Sequence, residues 1–121
     1  MIGEIEARKR ILLAAFSDGQ LVGTVQIAHA VPPNQPHRAD IAKLLVMRSA
    51  RAQGVGARLM EEAEASARRA GKALLVLDTC ADGAAARLYS RLGWTEVGII
   101  PKYALNPDGS WCDTTIFWKQ I

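Results

Sequence analysis

Residues 44–60, LLVMRSARAQGVGARLM, constrain this chain more than any other stretch. An apolar strand runs into a basic turn and then into two glycines at the mouth of an amphipathic helix. Val55, Leu59, Ala63 and Ala67 recur at i, i+4 spacing, with Arg58, Glu61, Glu62, Glu64 and Arg68 on the other face. That period predicts a helix over about residues 55–70, closed by Ala70-Gly71. Arg51, Gly54 and Gly56 form R-x-x-G-x-G. Glycine at such a junction adopts backbone angles that a β-carbon resists and lets a ligand approach the backbone closely. The free N–H groups of the first helical turn and the positive end of the helix dipole suit a diphosphate. The stretch lacks the Lys-Ser/Thr pair of a P-loop and the third glycine of a dinucleotide fingerprint. A bare G-x-G also serves as a tight turn with close strand–helix packing, so the setting must decide between the two.

The setting is a chain of 121 residues with a net charge of +3, half of it hydrophobic. This length predicts a single domain over residues 1–121, its core organised by one continuous sheet. Much of the positive charge comes from Arg48, Arg51, Arg58, Arg68, Arg69 and Lys72, around the glycine turn. No basic run or aromatic interleaving accompanies them, which argues against a nucleic-acid surface and for a phosphate-bearing small molecule. Cys80 and Cys112 have no zinc spacing and are too few for a disulfide framework, so reduced thiols in a cytoplasmic protein are the expectation. His29 and His37 lie in separate segments as surface or loop residues, and no metal site is expected. The early apolar run ILLAAF, residues 11–16, is too short for a signal-peptide core or a membrane span.

Along the chain, the charged residues 4–10 suggest a short helical tail. Residues 11–16 and 21–30 predict two strands joined at Asp18-Gly19, a hairpin signal, and VPPNQPH (31–37) a proline-rich loop. Residues 38–47 form a third strand ending at the glycine turn. ALLVL (73–77) is a continuous apolar run, as in a strand buried on both faces. A second helix starts at Asp82 or Gly83, buries Ala85, Leu88 and Leu92, and closes at Gly93. Residues 94–100 and 111–119 give two last strands joined through NPDGS (106–110). This order predicts an α/β fold, a mixed α+β sheet with an antiparallel meander and one parallel β-α-β crossover.

Two motifs then fall in order along the chain. The first is Leu44, Val46, Arg51, Gly54 and Gly56; the second is Ala85, Leu88, Tyr89, Gly93 and Trp94, read as A-x-x-L-Y-x-x-x-G-W. Together they resemble the acetyl-CoA-binding core of the GNAT superfamily of N-acetyltransferases, over about residues 11–119. The wording LVLDT, LYSRLGW and IPKYALNPDG is similar to the small-molecule acetyltransferases of the tabtoxin-resistance type. The resemblance implies the acyl-CoA N-acyltransferase fold, N-terminally truncated: such proteins begin with a strand and two helices where this chain has about ten residues. Many members carry Asn where this chain has Asp82, and either residue caps a helix.

The resemblance also implies acetyl-CoA as cosubstrate. Its pantetheine arm would lie along Leu45, Val46 and Met47 like an added strand, with an N–H near Val46 facing the thioester oxygen. Its diphosphate would rest on the N–H groups of Gln53, Gly54, Val55, Gly56 and Ala57, beside Arg51 and Arg58. Tyr89 matches the family's general acid. At a reference pKa of about 10 against roughly 8.5 for a thiol, it would protonate a departing thiolate at an uphill cost of about 2 kcal/mol. Leu88 and Leu92 fill the helix's core positions in this reading and leave Tyr89 free; alternatively, Tyr89 is merely the edge of the helix's apolar face. The base is read from position. Asp78 ends the buried strand, where ligands gather in open sheets; it could instead cap the next turn. Asp40 is the second candidate, and water could also accept the proton. The expected function is transfer of an acetyl group from acetyl-CoA to the amine of a small molecule by direct attack. The alternative is a non-catalytic acyl-CoA-binding or regulatory module. The short front would leave the edge of the 11–16 strand and part of a sheet face bare, which predicts a homodimer.

Overall fold

The strand–glycine–helix junction folds as its pattern predicts. In the computed structural model, which describes residues 1–7, 9–29, 31–81, 83 and 85–121, seven strands form one sheet in the order β1-β2-β3-β4-β5-β7-β6. The strands are β1 (Ile2–Ala7), β2 (Arg10–Ser17), β3 (Gln20–Ala28), β4 (Arg38–Val46), β5 (Leu74–Cys80), β6 (Thr95–Leu105) and β7 (Trp111–Gln120). Helix α1 (Val55–Arg69) links β4 to β5, and α2 (Ala85–Arg91) follows β5. Only β4 and β5 pair in parallel; every other neighbouring pair is antiparallel. The mixed sheet with its single crossover is therefore present.

Strand register separates the two faces. Leu13 pairs with Val25, Ile27 with Ile41, Ile41 with Leu77 and Leu77 with Phe117, and partners in register share a face. These side chains, with Leu59, Met60, Ala63 and Ala67 of α1 and Tyr89 of α2, make one core. Both helices thus cover the same face. The other face carries Leu12, Gln26, Asp40, Val76 and Trp118, and no helix among the described residues covers it.

Gly23 fixes how closely α1 sits. A β-carbon there would lie 2.9 Å from Leu59 Cδ1, 3.0 Å from Leu45 O and 3.0 Å from Val55 Cγ1. A glycine inside a strand marks such an approach. Lys119 of β7 reaches back under the helices, its Nζ donating to Glu64 Oε1 at 2.6 Å and to the Leu92 carbonyl at 2.7 Å. Glu64 is accordingly buried, not on the solvent face its position in the helical period predicts.

Four further expectations are corrected. Among the described residues of 4–10 there is no helix: Ile2–Ala7 is a strand, with Glu4 opposite Leu13 and Ile5 opposite Leu12. An exposed strand edge offers a row of unpaired backbone groups, and pairing with β1 satisfies them, so the edge of β2 is not bare. β5 runs on to Cys80, placing Asp78 within the strand, and β6 runs on to Leu105 past Pro101. Proline is tolerated there because β6 is a sheet edge, bulged between Ile100 and Ala104. Finally, Cys80 and Cys112 are not separate thiols. They form a disulfide with Cα atoms 6.0 Å apart, because the β5–β7 ladder sets Cys80 opposite Thr114, two residues from Cys112. A pairing created by a ladder leaves no spacing signal in the chain. The expected helix cap Asp82 lies outside the described residues.

Candidate active site

The β4–α1 turn is built from backbone. After β4, Arg48–Ala50 makes a 3-10 turn; Ala52 and Gly54 then take left-handed angles, φ +66° and +77°. Gly54 is the N-cap of α1 and offers no side-chain cap, and the first turn holds no acidic residue. The first helical bond runs from Arg58 N–H to the Gly54 carbonyl at 3.1 Å. The N–H groups of Val55, Gly56 and Ala57 precede it and lack an intrahelical acceptor. An uncapped helix N-terminus without a carboxylate attracts an anion. Arg51, Gln53, Gly54 and Arg58 are exposed around it.

The two glycines do different work. Nothing lies within 4 Å of a β-carbon at Gly54, so its left-handed angle is what requires glycine. Gly56 has an ordinary angle, and a β-carbon there would meet Leu88 Cδ2 of α2 at 3.2 Å and Val46 Cγ2 at 3.7 Å. It seats α2 against α1 and β4.

Next to this turn the sheet opens. The β4–β5 pairing ends at Ile41 opposite Leu77, although β4 continues to Val46 and β5 to Cys80. The register of β4 on β3 shifts between Thr24 and Gln26, and Lys43 stands at φ +54°. This bulge turns β4 away from its parallel neighbour. Leu45 and Val46 pair with Thr24 and Gly23 of β3, leaving their other edge without a strand. Leu45 and Met47 are exposed. The gap holds a cleft of about 170 Å³ lined by Ile41, Ala42, Lys43, Leu44, Asp78, Thr79, Ala85 and Tyr89.

Asp78 and Tyr89 reach this cleft from opposite faces. Leu77 points to the helices, so Asp78 points to the helix-free side, and α2 brings Tyr89 from the helical side. Asp78 is exposed, and among the described residues no hydrogen bond or ion pair engages its carboxylate. Asp40 sits on the same face as Asp78 but is ion-paired to Arg38. Burial raises the Asp40 carboxyl above the usual range; Arg38 opposes the rise and Asp78 adds to it.

Ala85 and Leu92 pack half-buried against the core as expected, but the buried residue of α2 is Tyr89, which corrects the expectation that it stands free of the core. Its ring is 5.7 Å from that of Phe117 and 6.1 Å from that of Trp94. Burial first, and then the Asp78 charge, push its hydroxyl up to about 12. The tyrosine therefore holds its proton throughout the physiological range. The same shift deepens the uphill step to a thiolate from about 2 to about 5 kcal/mol. Beside a departing thiolate, such a tyrosine would favour a hydrogen bond over complete transfer of its proton.

The turn thus follows the end of β4, and the cleft that Asp78 and Tyr89 line opens along the same strand. Thr79 and Lys43 are cleft residues that sequence reasoning missed, since neither belongs to a motif; Ala85 opens the second motif, but its place at the cleft comes only from the fold. Both ring nitrogens of His29 and the Nε1 of Trp94 are buried without partners among the described residues. Burial lowers the His29 pKa, with help from Lys72.

The family model described as the acetyltransferase (GNAT) family matches residues 3–94. The chain belongs to that family. A GNAT-family acetyltransferase from Streptococcus pneumoniae superposes with a TM-score of 0.83 at 27% identity, over 93% of this chain and 68% of its own. The ribosomal-protein-S18-alanine N-acetyltransferase of Escherichia coli gives 0.79 at 25% identity, over 96% of this chain and 72% of its own. The yncA structure from Salmonella typhimurium, which carries its cofactor acetyl-CoA, gives 0.81 at 23% identity, over 92% and 64%. The last of these supports the fold alone.

Proposed function

We propose that residues 1–121 act as one cytoplasmic acetyl-CoA-dependent N-acetyltransferase domain whose acceptor is the amine of a small molecule. One observation carries the reading: an uncapped helix N-terminus abuts a strand gap into which Tyr89 and Asp78 reach from opposite faces. The Salmonella relative holds acetyl-CoA, and the Escherichia coli relative is named for N-acetylation of an alanine. Acetyl-CoA supplies an activated acetyl thioester. In this reading the N–H groups of Gln53, Gly54, Val55, Gly56 and Ala57, with Arg51 and Arg58, hold its diphosphate. The free edge of Leu45, Val46 and Met47 pairs with its pantetheine arm. The amine enters from the helix-free side, where Asp78, or water beside it, takes its proton. As the nitrogen bonds to the acetyl carbon and the carbon–sulfur bond breaks, Tyr89 donates a hydrogen bond to the departing sulfur.

The helix-free face leaves the acceptor side without a helical wall, which favours a second reading, a module that binds acyl-CoA without turnover. Thiol release from acetyl-CoA with a panel of amines, set against calorimetric acetyl-CoA binding, separates the two. Binding without amine-dependent thiol release refutes the transferase; absence of both refutes the cradle.

The same reading includes a homodimer. The edge strand β6 exposes Val97, Ile99, Ile100, Tyr103 and Leu105, and exposed apolar edges recruit a second chain. This moves the expected contact from the β2 edge, which β1 occupies, to β6. Sedimentation as a monomer at micromolar concentration would remove it.

A further inference from the structure

The Cys80–Cys112 pair has no part in the proposed transfer, yet it borders the cleft. Cys80 ends β5 one residue after Thr79 and two after Asp78; Cys112 is the second residue of β7. The chain between them carries α2, and with it Tyr89. We propose that Cys80 and Cys112 are a reversible dithiol–disulfide couple, opened and closed by small thiols and disulfides of the glutathione class. Its state sets how firmly Asp78 and Tyr89 are placed about the cleft.

Three observations carry this. First, the two sulfurs are kept in reach without the bond. Cys80 is in register with Thr114, Cys112 with Ala104, and the Ala81 N–H donates to the Asp113 carbonyl at 2.8 Å. Opening the link leaves the thiols side by side, so closure is an intramolecular step at high effective concentration. The Cα separation of 6.0 Å falls within the span that disulfides favour. Second, the sulfurs differ in access: Cys112 is buried, whereas Cys80 is half-buried. An incoming thiolate meets Cys80 first. Third, the link pins the strand end that carries Asp78 and Thr79, just ahead of the turn into α2. Asn106, which heads the β6–β7 turn, lies against it, its Oδ1 3.9 Å from Cys80 Sγ.

The exchange balances. A thiolate RS⁻ attacks Cys80 Sγ, the disulfide breaks, and its electron pair leaves on Cys112 sulfur, which takes a proton. A second thiolate attacks the mixed disulfide, releasing RSSR and the Cys80 thiolate, which is protonated in turn. Two RSH become RSSR as one protein disulfide becomes two thiols; RSSR drives the reverse. Disulfides in reducing compartments are transient or redox-sensing, which suits an exchangeable link in a protein placed in the cytoplasm.

Only the turnover effect rests on the transferase reading. The test equilibrates the full chain in glutathione buffers from reduced to oxidised, then quenches with a thiol alkylator and weighs the intact chain. The expected result is one transition between two labels and none, with the oxidised form melting higher. Near-ultraviolet circular dichroism of the Tyr89–Trp94 pair should change across the same transition. Acetyl-CoA affinity, set by the backbone of the α1 turn and not by the linked strand ends, should stay within about twofold, while turnover falls at least about tenfold on reduction, as loosened catalytic groups predict. Cys112→Ser and Cys80→Ser should each abolish the response. Two labels in oxidising buffer, aromatic signals unchanged across the transition, or a serine variant that still responds would each overturn the couple. A chain that transfers to no amine would refute the transferase reading, and the labelling and aromatic signals would still decide the couple.

Discussion

The turn at the start of α1 and the cleft at the end of β5 stand next to each other and are made in opposite ways. The turn is contiguous backbone: two left-handed residues, an uncapped helix end and arginines within about a dozen residues. The cleft is assembled from Ile41, Asp78 and Tyr89, which meet only because a bulge parts β4 from β5 and a core seats α2. A site made of main-chain N–H groups tolerates side-chain change and depends on backbone angles. A site made of side chains depends on packing at a distance.

The largest effect that tests this contrast lies under both regions. Gly23→Val puts new atoms against Leu59, Val55 and the Leu45 carbonyl. It should destabilise the fold by about 3 kcal/mol, the upper range for overpacking, and spoil both the turn and the cleft. Denaturant unfolding measures it, and an undiminished midpoint would show that α1 does not depend on this close approach.

Tyr89→Phe should cut turnover by roughly 10²-fold, the low end for a positioned proton donor. Acetyl-CoA affinity and melting temperature should barely move, since no described partner bonds the hydroxyl. Full turnover in an assay limited by chemistry would make Tyr89 a core residue only.

The raised Tyr89 pKa sets a third expectation. Above pH 10 the unfolded chain releases this proton, while the native chain keeps it to about 12. Stability should therefore fall as pH rises through that window, by about 2–3 kcal/mol for this group. Tyr89→Phe should flatten that decline; an equal decline in the variant would assign it to other groups.

The smallest expected change separates the glycines. Gly54→Ala meets no neighbour and bears only the left-handed penalty of about 1–2 kcal/mol, so acetyl-CoA affinity should fall while α2 stays docked. Gly56→Val presses on Leu88 and should loosen α2 as well. If calorimetry and melting respond alike to both substitutions, turn and cleft are one unit.

The sequence by itself determined the strand–turn–helix at residues 44–70, the antiparallel meander, the crossover and the two motifs. Each is written in neighbouring residues: a period of 3.6, an alternation, a Gly or Pro where the backbone needs it. It named Asp78 and Tyr89 from their places at a strand end and in a motif. Tertiary structure alone decided the rest. Ile2–Ala7 became a strand because the edge of β2 needed a partner, and no local pattern outweighs an unsatisfied edge. Glu64 turned inward because Lys119, 55 residues away, supplies its counter-charge. Tyr89 sank among Phe117 and Trp94, and Cys80 met Cys112, through strand register. Register is fixed by the face each strand buries, a property of the whole sheet that no stretch of chain carries alone.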